Sequence, residues 1–235
     1  MYVYARVSEI DQWILSGVWK AGWEDQYGWE YPWTYQKVLE YATPGARVLD
    51  VGAGTGQMAQ KLFDDGPKLE VHMIDTKEAF ETSGAFKPQL VYHEGLVGIG
   101  HALTPQYFDL VYSVSVLEHI YEAGGEAGMM SALEDMKNLL RPGGVMIHTM
   151  DLVLDPEVYR RWMGFSIERF ITATGMEILP KYLGPAPTRE AMLLDPDLYV
   201  VSPERAHAMR WCGRNVGLGY FRLTGIGFIL RKPEA

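Results

Sequence analysis

Residues 48–57, VLDVGAGTGQ, constrain the fold more than any other stretch. An apolar run ends around an acidic residue, Asp50, and three glycines follow at alternate positions, Gly52, Gly54 and Gly56. Such a run, broken by glycine and followed by a helical pattern, reads as a strand, a tight turn and a helix. Glycine has no Cβ and adopts backbone angles that other residues avoid, so a ligand can lie against the main chain of this turn. The helix opened by the turn offers it unpaired N–H groups. In an open parallel sheet such ligands gather at the carboxyl ends of the strands, where strand order reverses.

The same alternation continues along the chain. Apolar runs at 47–51, 69–74, 90–92, 108–113 and 145–149 read as strands, and 176–182 and 227–232 supply a sixth and a seventh. Between them, Met58, Ala59, Leu62 and Phe63 make one helical face, and Met129, Leu133, Met136 and Leu140 another. The fold class expected is α/β: a doubly wound, seven-stranded, mostly parallel sheet covered on both faces. Residues 1–45 read as an aromatic-rich helical cover, since five of the seven tryptophans fall at positions 13, 19, 23, 29 and 33. Residues 46–183 are the ligand-binding core, 184–219 a cap insertion and 220–235 the last strand of the core. Asp155-Pro156-Glu157 has the form of a helix start, with Asp as N-cap and Pro at the first helical position.

Composition narrows the function classes. The 235 residues are 48% hydrophobic, enough for a sizeable core, and carry a formal net charge of −9. Nucleic-acid binding draws on Lys and Arg against phosphate, so no nucleic-acid partner is expected. Residues 1–150 hold 10 basic and 20 acidic side chains, whereas residues 151–235 hold 11 and 10. Cys212 is the single cysteine, which removes intrachain disulfides and CxxC metal sites. The start has acidic residues and no long apolar segment, and no run approaches a membrane span, so the expectation is a cytoplasmic protein without a membrane partner. A homodimer stays open.

The glycine spacing separates two ligand classes. A dinucleotide site wants G-x-G-x-x-G, but here the third glycine comes one position early and Gln57 follows it. Asp50, two residues before the first glycine, would repel a pyrophosphate and attract an ammonium or sulfonium. VLDVGAGTG resembles the first motif of the class I S-adenosylmethionine-dependent methyltransferases, small-molecule type. Asp75 ends the next strand in VHMID, 19 residues beyond Gly56. YHEGL with Glu94, FDLVYSVSVLEHI at 108–120 and LLRPGGVMIHT at 139–149 follow in the family's order. The resemblance implies a Rossmann-like methyltransferase fold with S-adenosyl-L-methionine as cofactor. It implies cofactor contacts from Asp50, Gly52, Ala53, Gly54, Thr55, Gly56, Asp75, Thr76, Glu94, Gly95, Ser113 and Val114, with Asp75 on the ribose hydroxyls and Glu94 near the adenine. The implied activity is in-line methyl transfer to an O or N nucleophile of a small molecule. A cofactor-binding protein without turnover and a dinucleotide-dependent oxidoreductase are the alternatives.

On the acceptor side, His119 of Leu117-Glu118-His119 is the candidate general base, with a loop-holding role as its alternative. His148 lies inside a strand and reads as a core histidine. Asp151, at the end of that strand, faces the active-site edge. The metal-dependent relatives use an Asp-Asn pair near Asp151, where this chain has Asp151-Leu152, and no metal is expected. Trp29, Tyr31, Trp33 and Tyr35 form either an aromatic wall or cation cage for the substrate, or part of the core. Trp13, Trp19 and Trp23 read as the buried face of a covering helix. Arg205, Arg210 and Arg214 read as a solvated basic face or as a receptor for an anionic substrate group.

Overall fold

A computed structural model describes residues 2–17, 28–83, 89–154, 167–179, 187–200 and 222–234. Trp19, Trp23, the helix start at 155–157, Cys212, Arg205, Arg210, Arg214 and most of the expected cap lie outside these residues.

The strands are β1 (Val3–Tyr4), β2 (Arg47–Val51), β3 (Glu70–Asp75), β4 (Val91–Glu94), β5 (Phe108–Val114), β6 (Leu140–Val153), β7 (Glu177–Leu179) and β8 (Leu223–Arg231). They form one eight-stranded sheet in the order β1-β8-β6-β5-β2-β3-β4, with β7 also paired to β8. The five strands β2 to β6 run parallel, and β8 lies antiparallel against β6. The sequence pattern predicts seven strands; the eighth is β1, whose two residues carry no readable period. It shares an edge of β8 with β7: β1 pairs at residues 226 and 227, and β7 at 229 to 231. β6 is also far longer than the expected 145–149, because β8 pairs with it continuously from Val145 to Val153.

The helices are α1 (Val7–Leu15), α2 (Glu30–Tyr41), α3 (Gln57–Asp65), α4 (Lys77–Ser83), α5 (Leu117–Leu139), α6 (Ile167–Ala173) and α7 (Arg189–Leu193). α5 is broken at Gly125, whose φ of 61° is not helical. The strand period of two sorts the core into two halves. Leu49 and Val51 of β2 join Val111, Met129, Leu133 and Met136 on one face. Val48 joins Met58, Leu62, Val71 and Trp33 on the other. Each fully buried side chain of this kind is worth about 1.5–3 kcal/mol, so both faces contribute.

The N-terminal segment and the described part of the expected cap are bound to each other. Arg6 bridges to Leu198, and the Ser8 N–H and hydroxyl donate to Asp197 at 2.9 and 2.6 Å. The Tyr2 hydroxyl donates to the Pro187 carbonyl at 3.0 Å.

Strand order reverses between β2 and β5. From β2 the chain winds outward through β3 and β4; from β5 it winds the other way through β6. The carboxyl ends of β2 and β5 therefore frame a crevice, and the turns that leave them are the candidate site.

Candidate active site

The glycine turn leaves β2 at Val51. Gly52, Gly54 and Gly56 all have positive φ, at 68°, 51° and 70°. Their surroundings differ. A Cβ on Gly52 would meet the Val116 side chain at 2.5 Å, and one on Gly56 would meet the Met73 methyl at 2.5 Å. A Cβ on Gly54 would meet nothing within 4 Å. Gly52 and Gly56 thus seat the turn against its neighbours, while Gly54 presents bare main chain to open space. Gly56 also caps α3, whose buried face is Met58, Ala59 and Leu62.

Asp75 closes the turn from β3. One carboxylate oxygen accepts the Gly54 N–H at 2.8 Å and the other accepts the Thr76 N–H at 2.7 Å. Each oxygen has a second lone pair free for a ligand hydroxyl. Glu94 is its register partner on β4, exposed at the same strand edge. Gly95 donates to the Asp75 carbonyl at 3.1 Å. The glycine-rich loop after it is anchored to α5: Asp135 accepts the Gly98 N–H at 2.7 Å and pairs with His101 Nε2 at 2.7 Å. Ala53 lies half-buried and Thr55 exposed on the same turn.

Asp50 sits beneath the turn, buried, and burial pushes its carboxyl up to about 8. Its register partner on β5 is Tyr112. The buried phenol beside it favours the anion, though outside full hydrogen-bond geometry. Tyr112 was not legible as a neighbour of the turn, because in an apolar strand it reads as core. A buried carboxyl with no cation beside it among the described residues, under a bare left-handed turn and next to Asp75, fits a ligand that carries positive charge and ribose hydroxyls.

The turn after β5 builds the other side. The Ser113 hydroxyl bonds to His148 Nδ1 at 2.7 Å, both fully buried, and burial drives His148 down to about 3, so the ring is neutral. Ser113 thus turns its side chain inward to His148, and Val114, half-buried, follows it at the end of β5. Ser115 holds a left-handed φ of 52°, a conformation that costs about 1–3 kcal/mol in a residue with a side chain and clusters at functional sites. Its hydroxyl donates to Glu30. Val116, next along, is the residue packed on Gly52.

Three carboxyls meet here: Glu30 in the first turn of α2, Glu118 in the first turn of α5, and Asp151 on β6. They are 1%, 3% and 6% exposed. Glu118 accepts the Asp151 N–H at 3.3 Å. Burial, reinforced by the neighbouring carboxyls, holds Glu30 and Glu118 well above the ordinary carboxyl value, and burial lifts Asp151 to about 7. Asp151 lies inside the extended β6, two residues before its end, rather than at the strand end that the sequence pattern predicts. Glu30 and Glu118 were not legible: each opens a helix, where an acidic residue normally serves the helix dipole.

The aromatic readings need correction. Trp29, Trp33 and Tyr35 are buried in the core and form no open wall or cage. Trp29 and Trp33 stack at 5.3 Å, Trp13 packs against Trp29, and the Trp29 indole N–H donates to Glu9 at 2.6 Å. They fit because β8 presents glycines: a Cβ on Gly227 would meet Trp33 at 2.7 Å. Tyr35 faces α3, with Lys61 4.8 Å above its ring. Tyr31 is half-buried and near enough to Tyr112 to influence it. His119 is exposed on α5, its Nδ1 3.6 Å from Glu122.

Residues 49–146 match a family model described as a methyltransferase domain. No curated protein matches the chain in sequence. Among solved structures, the chain is similar to phosphoethanolamine N-methyltransferase 2 of Haemonchus contortus in complex with S-adenosyl-L-methionine. The TM-score is 0.58 at 16% identity, over 96% of this chain and 60% of that one. This chain thus spans 60% of the length of that enzyme. It is also similar to the YcgJ protein of Bacillus subtilis, with a TM-score of 0.57 at 16% identity over 88% and 99% of the two chains. A putative sarcosine dimethylglycine methyltransferase of Galdieria sulphuraria gives 0.57 at 14% identity over 98% and 92%. At such identities the likeness is one of fold. Fold and matched segment together show a methyltransferase domain over residues 49–146, set in a Rossmann-like methyltransferase fold. Its sheet, turn and acidic strand ends are those of residues 47–153. No helix among the described residues is long and apolar enough to cross a membrane.

Proposed function

We propose that the protein transfers a methyl group from S-adenosylmethionine to an O or N nucleophile of a small molecule. The observation that carries this reading is the pairing of Asp75 with Glu94 at one strand edge, beside the bare turn at Gly54. In this reading Asp75 accepts the two ribose hydroxyls, Glu94 and Gly95 border the adenine, and Thr76 and Thr55 flank the pocket. Asp50 supplies negative charge beneath the ammonium and sulfonium, which brings its own carboxyl back to the ionised state. The cofactor, when bound, supplies a methyl group already activated by the positive sulfur.

The work left to the protein is alignment and exclusion of water, which in favourable cases lowers a barrier by about 7–11 kcal/mol. The turn at Ser115 and Val116 touches both sides of the crevice and fixes their separation. His119 stands at the rim as one base for an acceptor that carries a proton; Asp151 is the buried one.

The test is calorimetric. S-adenosylhomocysteine binds to the full chain and NAD does not, and labelled S-adenosylmethionine passes its methyl to a member of a metabolite panel. Binding of NAD alone would replace the reading with an oxidoreductase. Tight S-adenosylhomocysteine binding without transfer to any panel member would leave a cofactor-binding protein.

A further inference from the structure

The buried carboxyls of the acceptor side have an unmet need that the methyltransferase reading, on which this inference rests, does not by itself explain. Glu30, Glu118 and Asp151 come from three separate elements and converge out of contact with water. Their internal bonds use one oxygen each of Glu30 and Glu118: Ser115 donates to Glu30 Oε2, and Asp151 N–H to Glu118 Oε1. Glu30 Oε1 and Glu118 Oε2 are left with no partner among the described residues. Two fully buried hydroxyls near them also lack a hydrogen bond of full geometry among the described residues. Thr149 lies two residues before Asp151 on the same face of β6, beside Glu30, and Thr34 lies one turn beyond Glu30 on α2. Among the described residues, no lysine or arginine acts on Glu30 or Glu118.

A buried acceptor without a donor is costly, and a cluster of them is costlier. What the described residues do not bring to the site is hydrogen-bond donors and positive charge in one compact group. An ammonium has both, with two or three N–H donors around a single charge. A carboxylate or phosphate would add like charge, and a hydroxyl brings one donor and no charge. No group of His, Cys, Asp and Glu among the described residues is disposed to hold a metal ion.

The cluster also stands at the right place. Ser115 holds Glu30, and its neighbour Val116 packs on the glycine turn at Gly52, so a single left-handed turn joins the carboxyls to the cofactor side. We propose that Glu30, Glu118 and Asp151 form the receptor for the ammonium of a primary or secondary amine, and that this nitrogen is the atom methylated. The bound ammonium gives one proton to a carboxylate of the cluster, and the N–H bonding pair stays on nitrogen as the lone pair that attacks the methyl group. The N–C bond forms as the C–S bond breaks, and the bonding pair stays on sulfur. The methylated nitrogen, again an ammonium, leaves with its charge, and the carboxyl returns its proton to water, so one proton is released per turnover.

The experiment uses the full chain and calorimetry in two arms. The first titrates S-adenosylhomocysteine; failure of this arm counts against the methyltransferase reading itself. The second starts from protein saturated with S-adenosylhomocysteine and titrates n-butylamine, N-methylbutylamine, n-butanol, butyrate and magnesium chloride in turn. Both amines bind, the other three do not, and buffers of different ionisation enthalpy reveal a proton exchanged on amine binding. Glu118→Gln and Asp151→Asn weaken the amines by about tenfold or more, as loss of a charge-assisted partner requires. Both keep S-adenosylhomocysteine affinity within about twofold, since neither touches the glycine turn or Asp75. Where either variant fails to fold, Glu30→Gln takes its place. The inference is overturned if S-adenosylhomocysteine binds and neither amine does. It is equally overturned if butyrate or magnesium binds instead, or if the folded variants take up the amines as the parent does.

Discussion

Two groups of carboxyls stand at the carboxyl ends of this sheet. Asp75 and Glu94 are paired across β3 and β4, half-buried and exposed respectively, and Asp75 is already anchored by two main-chain N–H groups. Glu30, Glu118 and Asp151 are gathered from α2, α5 and β6, buried, with oxygens left over. The side-chain chemistry is the same; the solvent is not. A carboxylate at a wet edge serves as a plain acceptor for hydroxyls. A carboxyl withdrawn from water ionises only when a cation or a set of donors joins it. Asp50 stands between the groups, on the cofactor side of the crevice but buried like the acceptor side, and burial raises it accordingly.

The largest effect on this contrast comes from the turn that joins its halves. Gly52→Val places a side chain where Val116 already lies and forces a β-branched residue to a φ of 68°. Strain of about 1–3 kcal/mol from the backbone adds to about 1–3 kcal/mol from overpacking. The urea midpoint drops, and S-adenosylhomocysteine binding disappears from calorimetry even where the variant folds. A variant that binds as the parent does would detach Val116 from the site. Next comes Asp75→Ala, which removes the partner of the Gly54 N–H together with the proposed ribose contact. It weakens S-adenosylhomocysteine by about 1.5–3 kcal/mol, as expected for hydrogen bonds to a charged group. An unchanged affinity would move the ribose elsewhere.

The pH dependence of stability without cofactor is a smaller effect and reads the buried group directly. Asp50 and Asp151 titrate in the fold at about 8 and about 7, above the unfolded value of about 3.9. The fold favours their protonated forms, so their contribution is complete below about pH 4 and is lost as pH rises through 7 to 8. His148 acts in the opposite sense. Its folded value near 3 lies below the unfolded value of about 6.5, so its contribution is present above that pH and lost in acid. Between pH 5 and 6.5 the two trends oppose. Between pH 6.5 and 8 only the carboxyls act, and the urea midpoint falls, with a slope of at most about 1.4 kcal/mol per pH unit for each group. Asp50→Asn flattens the upper part of that fall. A midpoint that rises across the same interval would show that these carboxyls are ionised in the empty protein.

The same contrast governs what a reading of residues alone can reach. The cofactor side is local: Asp50, the three glycines and Asp75 lie on consecutive elements, and their spacing along the chain is their spacing in space. The parallel core was legible for the same reason, since strand and helix alternate with clear periods from Arg47 to Val145. β1 was not, because two residues have no period, and the extension of β6 to Val153 depends on a partner strand 70 or so residues later. The acceptor side is assembled from positions 30, 118 and 151, which only tertiary structure brings together. The tryptophans left two readings open, a binding surface or core. Gly225 and Gly227 make β8 a floor onto which Trp29 and Trp33 pack, and that complementarity is invisible until the two segments are juxtaposed.

The smallest effect is that of His119→Ala, and set against Asp151→Asn it divides the two base candidates. A positioned general base contributes about 100-fold or more to turnover. His119 and Glu118 are adjacent in sequence and differ completely in setting: the histidine side chain is 56% exposed, whereas Glu118 is 3% exposed and bonded to the main chain of Asp151. A proton taken from an acceptor nitrogen inside the crevice passes to the buried side, and an exposed imidazole contributes by holding the first turn of α5 near Glu122. His119→Ala therefore lowers kcat by no more than about threefold with an amine acceptor, far less than a base would. Asp151→Asn lowers it by about 100-fold and removes the acid limb of the pH profile. A reversal of that order, with the histidine variant silent and the Asp151 variant active, would return the proton to His119 and make the carboxyls a binding device alone.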